Sequence, residues 1–114
     1  LYVATQYTRN PGPRYIWQSQ KGKHDSGEEF REKLLLPKLK ECIENGDMLY
    51  CIFDGCSGAG VSFLEESFGG LIRAGVVYKD IKEHLTIVWN IMPRKVSQAN
   101  GYIDKAQNDK ENGI

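Results

Sequence analysis

Residues 48–53 constrain the fold of this chain more than any other segment. They read Met-Leu-Tyr-Cys-Ile-Phe, with no charged or turn-forming residue among them. A continuous apolar run of this length is typical of a strand that is buried on both faces of a sheet. We therefore expect a central strand here, followed by the small-residue loop that begins at Asp54.

A helix is predicted before this strand. Ser26 stands three residues before Glu29, the arrangement that satisfies free backbone N–H groups where a helix begins, and Gly46 is a typical stop. Pro37 interrupts the pattern and predicts a kink or a new helical start, because proline lacks the donor that a helix interior requires. The apolar residues recur at steps of three and four, on one face: Phe30, Leu34, Leu35, Leu39, Cys42 and Ile43.

The remaining elements are assigned by the same rules. Helical spacing continues over 62–74 up to Gly75, a second buried strand is expected within 85–92, and a helix is expected over 95–107. Residues 1–8 and 14–18 are rich in β-branched and aromatic side chains around a Pro-Gly turn, which predicts a hairpin.

Together these elements predict an α/β fold with a mixed sheet of about four strands and helices packed against it. The length suits one domain, over residues 1–107, with a flexible polar tail at 108–114.

Composition excludes several classes of function. Lys and Arg balance Asp and Glu at 15 each, which disfavours a nucleic-acid partner, and no apolar stretch is long enough for a membrane span. Cys42, Cys51 and Cys56 lack metal-site or disulfide spacing and are expected to be reduced thiols of a cytoplasmic protein. His24 and His84 have no Cys or His at a zinc-site spacing, so we expect neither a metal nor a cofactor.

The loop after the central strand is the informative segment, and three hypotheses compete for it. The first is a phosphate cradle, since Gly55, Gly58 and Gly60 would let backbone N–H groups approach an anion. The order G-x-x-G-x-G matches neither a P-loop nor the dinucleotide fingerprint.

The second hypothesis is catalysis with Cys56 or Ser62 as nucleophile. Either residue needs an adjacent base, and no histidine lies nearby in sequence. Asp54, alone at a strand end, is more typical of a loop-capping carboxylate. We therefore expect a protein that is not an enzyme.

The third hypothesis makes Ser62 a modifiable hydroxyl at a helix start, where an added phosphate would meet the positive end of the helix. The alternative is structural: Ser62 with Glu65 forms a capping box, and Glu65 and Glu66 would repel a phosphate. Whether this segment docks a protein partner or senses a small ligand, we expect Ser57, Ser62, Glu65 and Glu66 to face solvent.

Three further positions carry predictions. The paired Gly69 and Gly70 inside a helix indicate close approach of another chain segment, from within the protein or from a partner's helix. Internal packing is favoured. Trp17 and Trp89 are expected in or at the edge of the core.

Several of these motifs occur together in one family. The strings Ser-Gly-Glu-Glu-Phe-Arg at 26–31, Leu-Pro-x-Leu at 36–39 and Ser-Phe-Leu-Glu-Glu-Ser-Phe-Gly-Gly-Leu at 62–71 resemble the STAS-like domains of unknown function found in many bacterial proteins. These domains are similar in fold to anti-anti-sigma factors. The resemblance implies a STAS-like architecture over most of the chain.

The resemblance also implies a protein partner. Ser62 matches the serine that a kinase with a histidine-kinase-like ATPase fold phosphorylates in anti-anti-sigma factors, although Gly60, Val61 and Phe63 replace the Asp, Ser and Gly around it. We expect a regulatory interaction domain; the alternative is a sensor of a small ligand or nucleotide at the same loop. The expected partner-binding residues are Asp54, Ser57, Gly58, Gly60, Ser62, Glu65 and Glu66.

Overall fold

The computed structural model describes residues 1–114 and has an α/β architecture with a small sheet. Strand β1, Leu49–Ile52, pairs in parallel with β2, Leu85–Val88. The sheet has two strands, so the prediction of about four is wrong. Parallel strands need a crossover, and here it consists of two helices, 61–73 and Tyr78–His84.

The predicted N-terminal hairpin is absent. Val3–Gln6 is a single helical turn and Ile16–Gln18 is a 3₁₀ turn. Only Tyr2 adds to the sheet, through one isolated parallel bridge to Ile52. The reason is packing: the helical turn buries the side chain of Val3 completely, which outweighs the local strand preference of this segment.

The central strand is buried on one face only. Along β1, Leu49 and Cys51 are buried, Ile52 is half-buried and Tyr50 is 53% exposed. Period-two alternation places Tyr50 on the face that no helix covers. The predicted burial on both faces is therefore wrong, and the apolar run reflects one core-facing side together with an exposed aromatic residue.

A helix with a π turn at its centre precedes β1. It runs as α-helix over Gly27–Phe30, as π-helix over Arg31–Leu35 and as α-helix over Leu36–Asn45, and we call it the first bulged helix. As predicted, Ser26 caps its start, with Oγ accepting from Glu29 N–H at 3.1 Å. Gly46 ends it in the left-handed conformation, with φ +71°.

Pro37 is accommodated without a break. The backbone stays in the right-handed helical region from Phe30 to Leu36, and Leu36 N–H bonds the carbonyl of Arg31 across the wider turn. A proline removes one donor and crowds the carbonyl four residues earlier. The π turn just before Pro37 provides the wider spacing where that crowding would occur.

A second bulged helix follows β1. It is α-helical over Val61–Leu64, π-helical over Glu65–Gly69 and α-helical over Gly70–Arg73. Gly60 occupies its N-cap position without a side-chain hydrogen bond. The predicted capping role of Ser62 is wrong, because the N-cap lies two residues earlier, at Gly60.

Two further helices complete the chain. Tyr78–His84 leads directly into β2 and was not predicted, and the C-terminal helix spans Pro93–Glu111. The C-terminal helix continues beyond residue 107 into the predicted tail. Pairs such as Lys105 with Asp109, at 2.9 Å, support that extension. None of the helices combines the length and apolar character that crossing a membrane would require.

The core is built around Phe53, which directly follows β1. Its ring lies 5.2 Å from that of Trp89, in a stacked arrangement, and between 6.0 and 6.4 Å from those of three other phenylalanines. Trp89 is buried, as predicted. The three phenylalanines come from the two bulged helices and are fully buried: Phe30, Phe63 and Phe68.

Glycines allow the helices to approach closely. A Cβ on Gly27 would lie 2.6 Å from the carbonyl oxygen of Phe63, and one on Gly69 would lie 3.3 Å from the carbonyl of Tyr102 in the C-terminal helix. A Cβ on Gly70 would overlap the guanidinium of Arg31. Internal packing thus accounts for the Gly69-Gly70 pair, as predicted.

The Gly27 contact can be tested by substitution. Gly27→Ala should lower the free energy of unfolding by about 1–3 kcal/mol, because the obstructing atom is backbone and cannot rotate away. Gly101→Ala, in the C-terminal helix, should raise it by roughly 0.5–1 kcal/mol, because a Cβ there meets nothing within 4 Å. Urea unfolding of both variants measures these changes, and equal effects would contradict the close contact at Gly27.

Candidate functional site

The loop from Asp54 to Gly60 lies at the edge where both parallel strands end. Asp54 accepts two hydrogen bonds from Asn90, at 2.8 Å from the backbone N–H and 2.6 Å from the side-chain amide. Because Asn90 lies just beyond β2, this carboxylate joins the two strand ends. Asp54 therefore anchors the loop, as expected of a loop-capping carboxylate.

Ser57 fastens the loop to the N-terminal segment. Its backbone N–H donates to the carbonyl of Arg9 at 2.8 Å, and its hydroxyl donates to the side-chain oxygen of Asn10 at 2.7 Å. Ser57 is exposed, as predicted, but its hydroxyl is already engaged. Gly58 and Gly60 have open space where a side chain would stand, so the loop surface there is unobstructed backbone.

Ser62 lies in the first turn of the second bulged helix and faces solvent. Its hydroxyl makes no hydrogen bond within the chain. The neighbouring Val61 is 54% exposed. No side chain caps this helix start, so its first N–H groups keep their partial positive charge. The hydroxyl is accessible and stands at the end of the helix that favours an anion.

Glu66 does not face solvent, contrary to the prediction. It is 8% exposed, and its carboxylate lies 2.5 Å from the guanidinium of Arg31, which is equally buried. The same Arg31 nitrogen donates to the backbone carbonyl of Glu66 at 2.7 Å. Arg31 and Glu66 each belong to a π turn, so this ion pair joins the two bulges directly.

Glu65 is the partly exposed neighbour of this pair and is held by two arginines. Arg73 donates two hydrogen bonds to its carboxylate, at 2.7 and 2.9 Å, and Arg14 donates one at 2.5 Å. Arg14 and Arg73 also lie 3.4 and 3.6 Å from Glu66. Three cationic groups therefore surround two carboxylates, and the predicted negative surface beside Ser62 is neutralised.

The arginines also change the titration of Glu65. Burial by itself raises the pKa of this carboxyl, but hydrogen bonds and charges from Arg73 and Arg14 outweigh it, and the pKa is lowered. The pKa of Arg73 is raised, chiefly by its hydrogen bond to Glu65. The pair is ionised at neutral pH.

An exposed aromatic segment adjoins this network. Tyr15 and Trp17 stack with ring centroids 6.3 Å apart, and the Arg14 guanidinium lies 5.9 Å from the centre of the Tyr15 ring. Trp17 is 78% exposed and Ile16 is 45% exposed, so the prediction of Trp17 in the core is wrong. We call residues 15–17 the aromatic segment.

The nucleophile hypothesis finds little support in the surroundings of the thiols. Burial raises the pKa of Cys51 to about 12 and that of Cys56 to about 11. Cys56 donates its S–H to the carbonyl of Thr8 at 3.5 Å. His24 pairs with Glu29, at 2.8 Å, and His84 binds the carbonyl of Asp47.

The sequence interpretation missed the partners of the glutamates. No local signal pairs Arg14 or Arg31 with residues more than thirty positions away. The sequence carries one hint. A glycine pair within a helix indicates close approach of another group, and here Arg31 lies against Gly70. The missed site residues are Arg14, Arg31, Arg73 and the aromatic segment.

Comparison with known proteins agrees with the motifs. The family described as a STAS-like domain of unknown function (DUF4325) matches residues 26–89, more than half of the chain. The chain belongs to this family. The matched region of this STAS-like domain includes both bulged helices, both strands and the loop between β1 and Ser62. No curated protein and no solved structure shows a significant match.

Thiol accessibility tests the buried state of the cysteines. At neutral pH a thiol reagent such as DTNB should modify only Cys42 in the folded protein, because the raised pKa values keep Cys51 and Cys56 protonated and burial shields them. All three should react in denaturant. A Cys42→Ser variant provides the control, and rapid modification of that folded variant would contradict the assignment.

Acid unfolding tests the Glu65 ion pairs. A carboxyl with a lowered folded-state pKa stabilises the fold in full above its ordinary value near 4.5, and this contribution disappears as pH falls through the lowered pKa. The stability advantage of the natural protein over Glu65→Gln should therefore shrink between about pH 6 and about pH 3. Urea unfolding across this range, with the exposed Glu41→Gln as control, measures it; a constant advantage would contradict the assignment.

Proposed function

We propose that this STAS-like domain is a regulatory protein-interaction module of the cytoplasm. Its docking surface consists of the loop 54–61, the exposed start of the second bulged helix at Ser62, and the aromatic segment. The partner is a switch protein, and the resemblance to anti-anti-sigma factors favours a kinase with a histidine-kinase-like ATPase fold. We propose further that phosphorylation of Ser62 controls the association.

The observation that carries this proposal is the free, exposed hydroxyl of Ser62 at an uncapped helix start. A phosphate there would add about −1.5 to −2 charges at the positive end of the helix. The carboxylates of Glu65 and Glu66, which by sequence would repel it, are each bound by arginine. The site can therefore accept a phosphate without a large change in the fold.

The exposed apolar side chains support a protein partner. Trp, Tyr and Arg are the residues that most often supply binding energy at protein interfaces, and Trp17, Tyr15 and Arg14 stand together beside Glu65. Val61 adds an exposed apolar side chain at the helix start. Clustered exposed apolar side chains are typical of an interaction site, whereas single exposed apolar residues occur on most protein surfaces.

The sensor alternative has less support. The four surface cavities are lined by residues outside the loop 54–61. A small-ligand site needs a concave, largely apolar pocket with a few converging polar groups. One cavity reaches Asn90, which hydrogen-bonds Asp54, but the open backbone at Gly58 and Gly60 lines none of them.

The proposal predicts that charge at Ser62 controls binding. The natural protein, Ser62→Ala and Ser62→Asp should each be used to recover partners from the native cell, with intact-mass analysis of the recovered domain. The natural form should carry a fraction with one added phosphoryl group, absent from Ser62→Ala. Ser62→Asp should recover at least about tenfold less of a partner that Ser62→Ala retains, which corresponds to about 1.4 kcal/mol.

Ser97→Asp is the matched control, since Ser97 is an exposed serine on the C-terminal helix and the change adds the same charge. It should recover as much partner as the natural protein. Trp17→Ala should weaken recovery, while Val77→Ala, another exposed apolar residue, should not. Equal recovery by Ser62→Asp and Ser97→Asp, with no phosphoryl adduct, would refute the switch.

A further inference from the structure

We infer that Asp80, Glu83 and His84 form a binding site for one divalent transition-metal ion such as Zn²⁺. The site lies on the helix Tyr78–His84, which contains none of the proposed docking residues. It is therefore independent of the proposed function. No metal was expected from the sequence, because neither histidine has Cys or His at a zinc-site spacing; carboxylates at helical spacing supply the other ligands here.

The spacing brings three ligand groups together. Positions i, i+3 and i+4 share one face of a helix. A carboxylate oxygen from Asp80, one from Glu83 and a ring nitrogen of His84 all lie within 4.8 Å of one another. Ligand atoms at about 2.0–2.2 Å from one tetrahedral ion lie roughly 3.3–3.6 Å apart, so side-chain rotations that draw these groups closer would complete the site.

The histidine ring is oriented by a backbone hydrogen bond. Its Nδ1 lies 2.8 Å from the backbone carbonyl oxygen of Asp47, in the segment before β1. A carbonyl only accepts hydrogen bonds, so Nδ1 carries a proton, and the neutral form of this ring has its lone pair on Nε2. Metal-binding histidines usually donate their other N–H to a carbonyl or carboxylate, which fixes the ring. His84 has this arrangement.

The local charges favour a cation. Two carboxylates and a neutral imidazole together carry two negative charges, which balance a divalent ion. His84 is the last residue of its helix, where the exposed carbonyl groups carry partial negative charge. Glu83 is engaged only by Lys79 at 3.8 Å, an exposed pair that contributes little and can be exchanged. Lys82 points to Asp104 on the C-terminal helix, at 2.9 Å.

The ligand set indicates the class of metal. One imidazole and two carboxylates suit Zn²⁺, Mn²⁺, Co²⁺ or Fe²⁺, whereas Ca²⁺ and Mg²⁺ prefer oxygen ligands alone. Three protein ligands leave at least one position for water or for an external ligand.

Metal titration of the metal-free protein tests the site. Isothermal titration with Zn²⁺ should give one ion per chain, and Co²⁺ should give visible d–d absorption without a thiolate charge-transfer band. Asp80→Asn, Glu83→Gln and His84→Gln should each weaken binding at least on the order of tenfold to a hundredfold. His24→Gln is the matched control for the other histidine and should bind as the natural protein does.

NMR of the natural protein tests the same site without relying on variants that could fail to fold. Zinc should shift the imidazole NMR signals of His84 while those of His24 stay in place. A shift of His24 alone, a cobalt charge-transfer band that disappears in Cys42→Ser, or no binding at millimolar zinc would each overturn the assignment. Any of these outcomes would leave the test of Ser62 unaffected.

Discussion

The buried ion pair between Arg31 and Glu66 joins the two bulged helices at their π turns. Each partner is almost fully enclosed, and removing Glu66 would leave the buried Arg31 with only Glu32, at 3.5 Å, as a carboxylate partner. The pair needs close helices, and Gly27 and Gly70 provide the space because neither has a Cβ. The π turns, the glycines and the ion pair are thus three parts of one contact, and the phenylalanine core lies directly beneath it.

This contact also prepares the surface around Ser62. Glu66 is drawn inward to Arg31, and Glu65 is bound by Arg14 and Arg73, so the first turn of the second bulged helix is left without a free carboxylate. Arg14 also lies beside the Tyr15 ring, and Ile16 N–H donates to Glu28 of the first bulged helix at 2.9 Å. A single charge network thereby neutralises the glutamates that follow Ser62 and includes the arginine that contacts the aromatic segment.

The loop between β1 and this helix is held at its first residue, Asp54, and at its middle, Ser57. Asp54 ties it to the end of β2, and Ser57 ties it to residues 9–10, so the residues between Gly58 and Ser62 project from a fixed base. Fixed loops on a rigid scaffold are common positions for binding residues. The helix Tyr78–His84 lies at the other end of β2, and a metal ion there would join that helix to Asp47 through His84 without altering the loop.

The helix signals in the sequence were accurate where the cause was local. Ser26 caps its helix, Gly46 and Gly75 end theirs with positive φ, and the helical spacing after the loop marked the second bulged helix. The failures arose where tertiary contacts decide. Residues 1–8 have strand-like composition, yet burying Val3 in a helical turn is more favourable than extending the sheet.

The sequence by itself therefore determined the limits of the first bulged helix, the approximate range of the second, the positions of both strands and the family, because capping, glycine conformations and hydrophobic periodicity act over a few residues. Only the tertiary structure decided that Glu66 is buried, that Trp17 is exposed and that one face of β1 is open. These outcomes depend on which distant side chain arrives to pair a charge or cover a ring. That choice is made by the packing of the whole chain and leaves no local pattern.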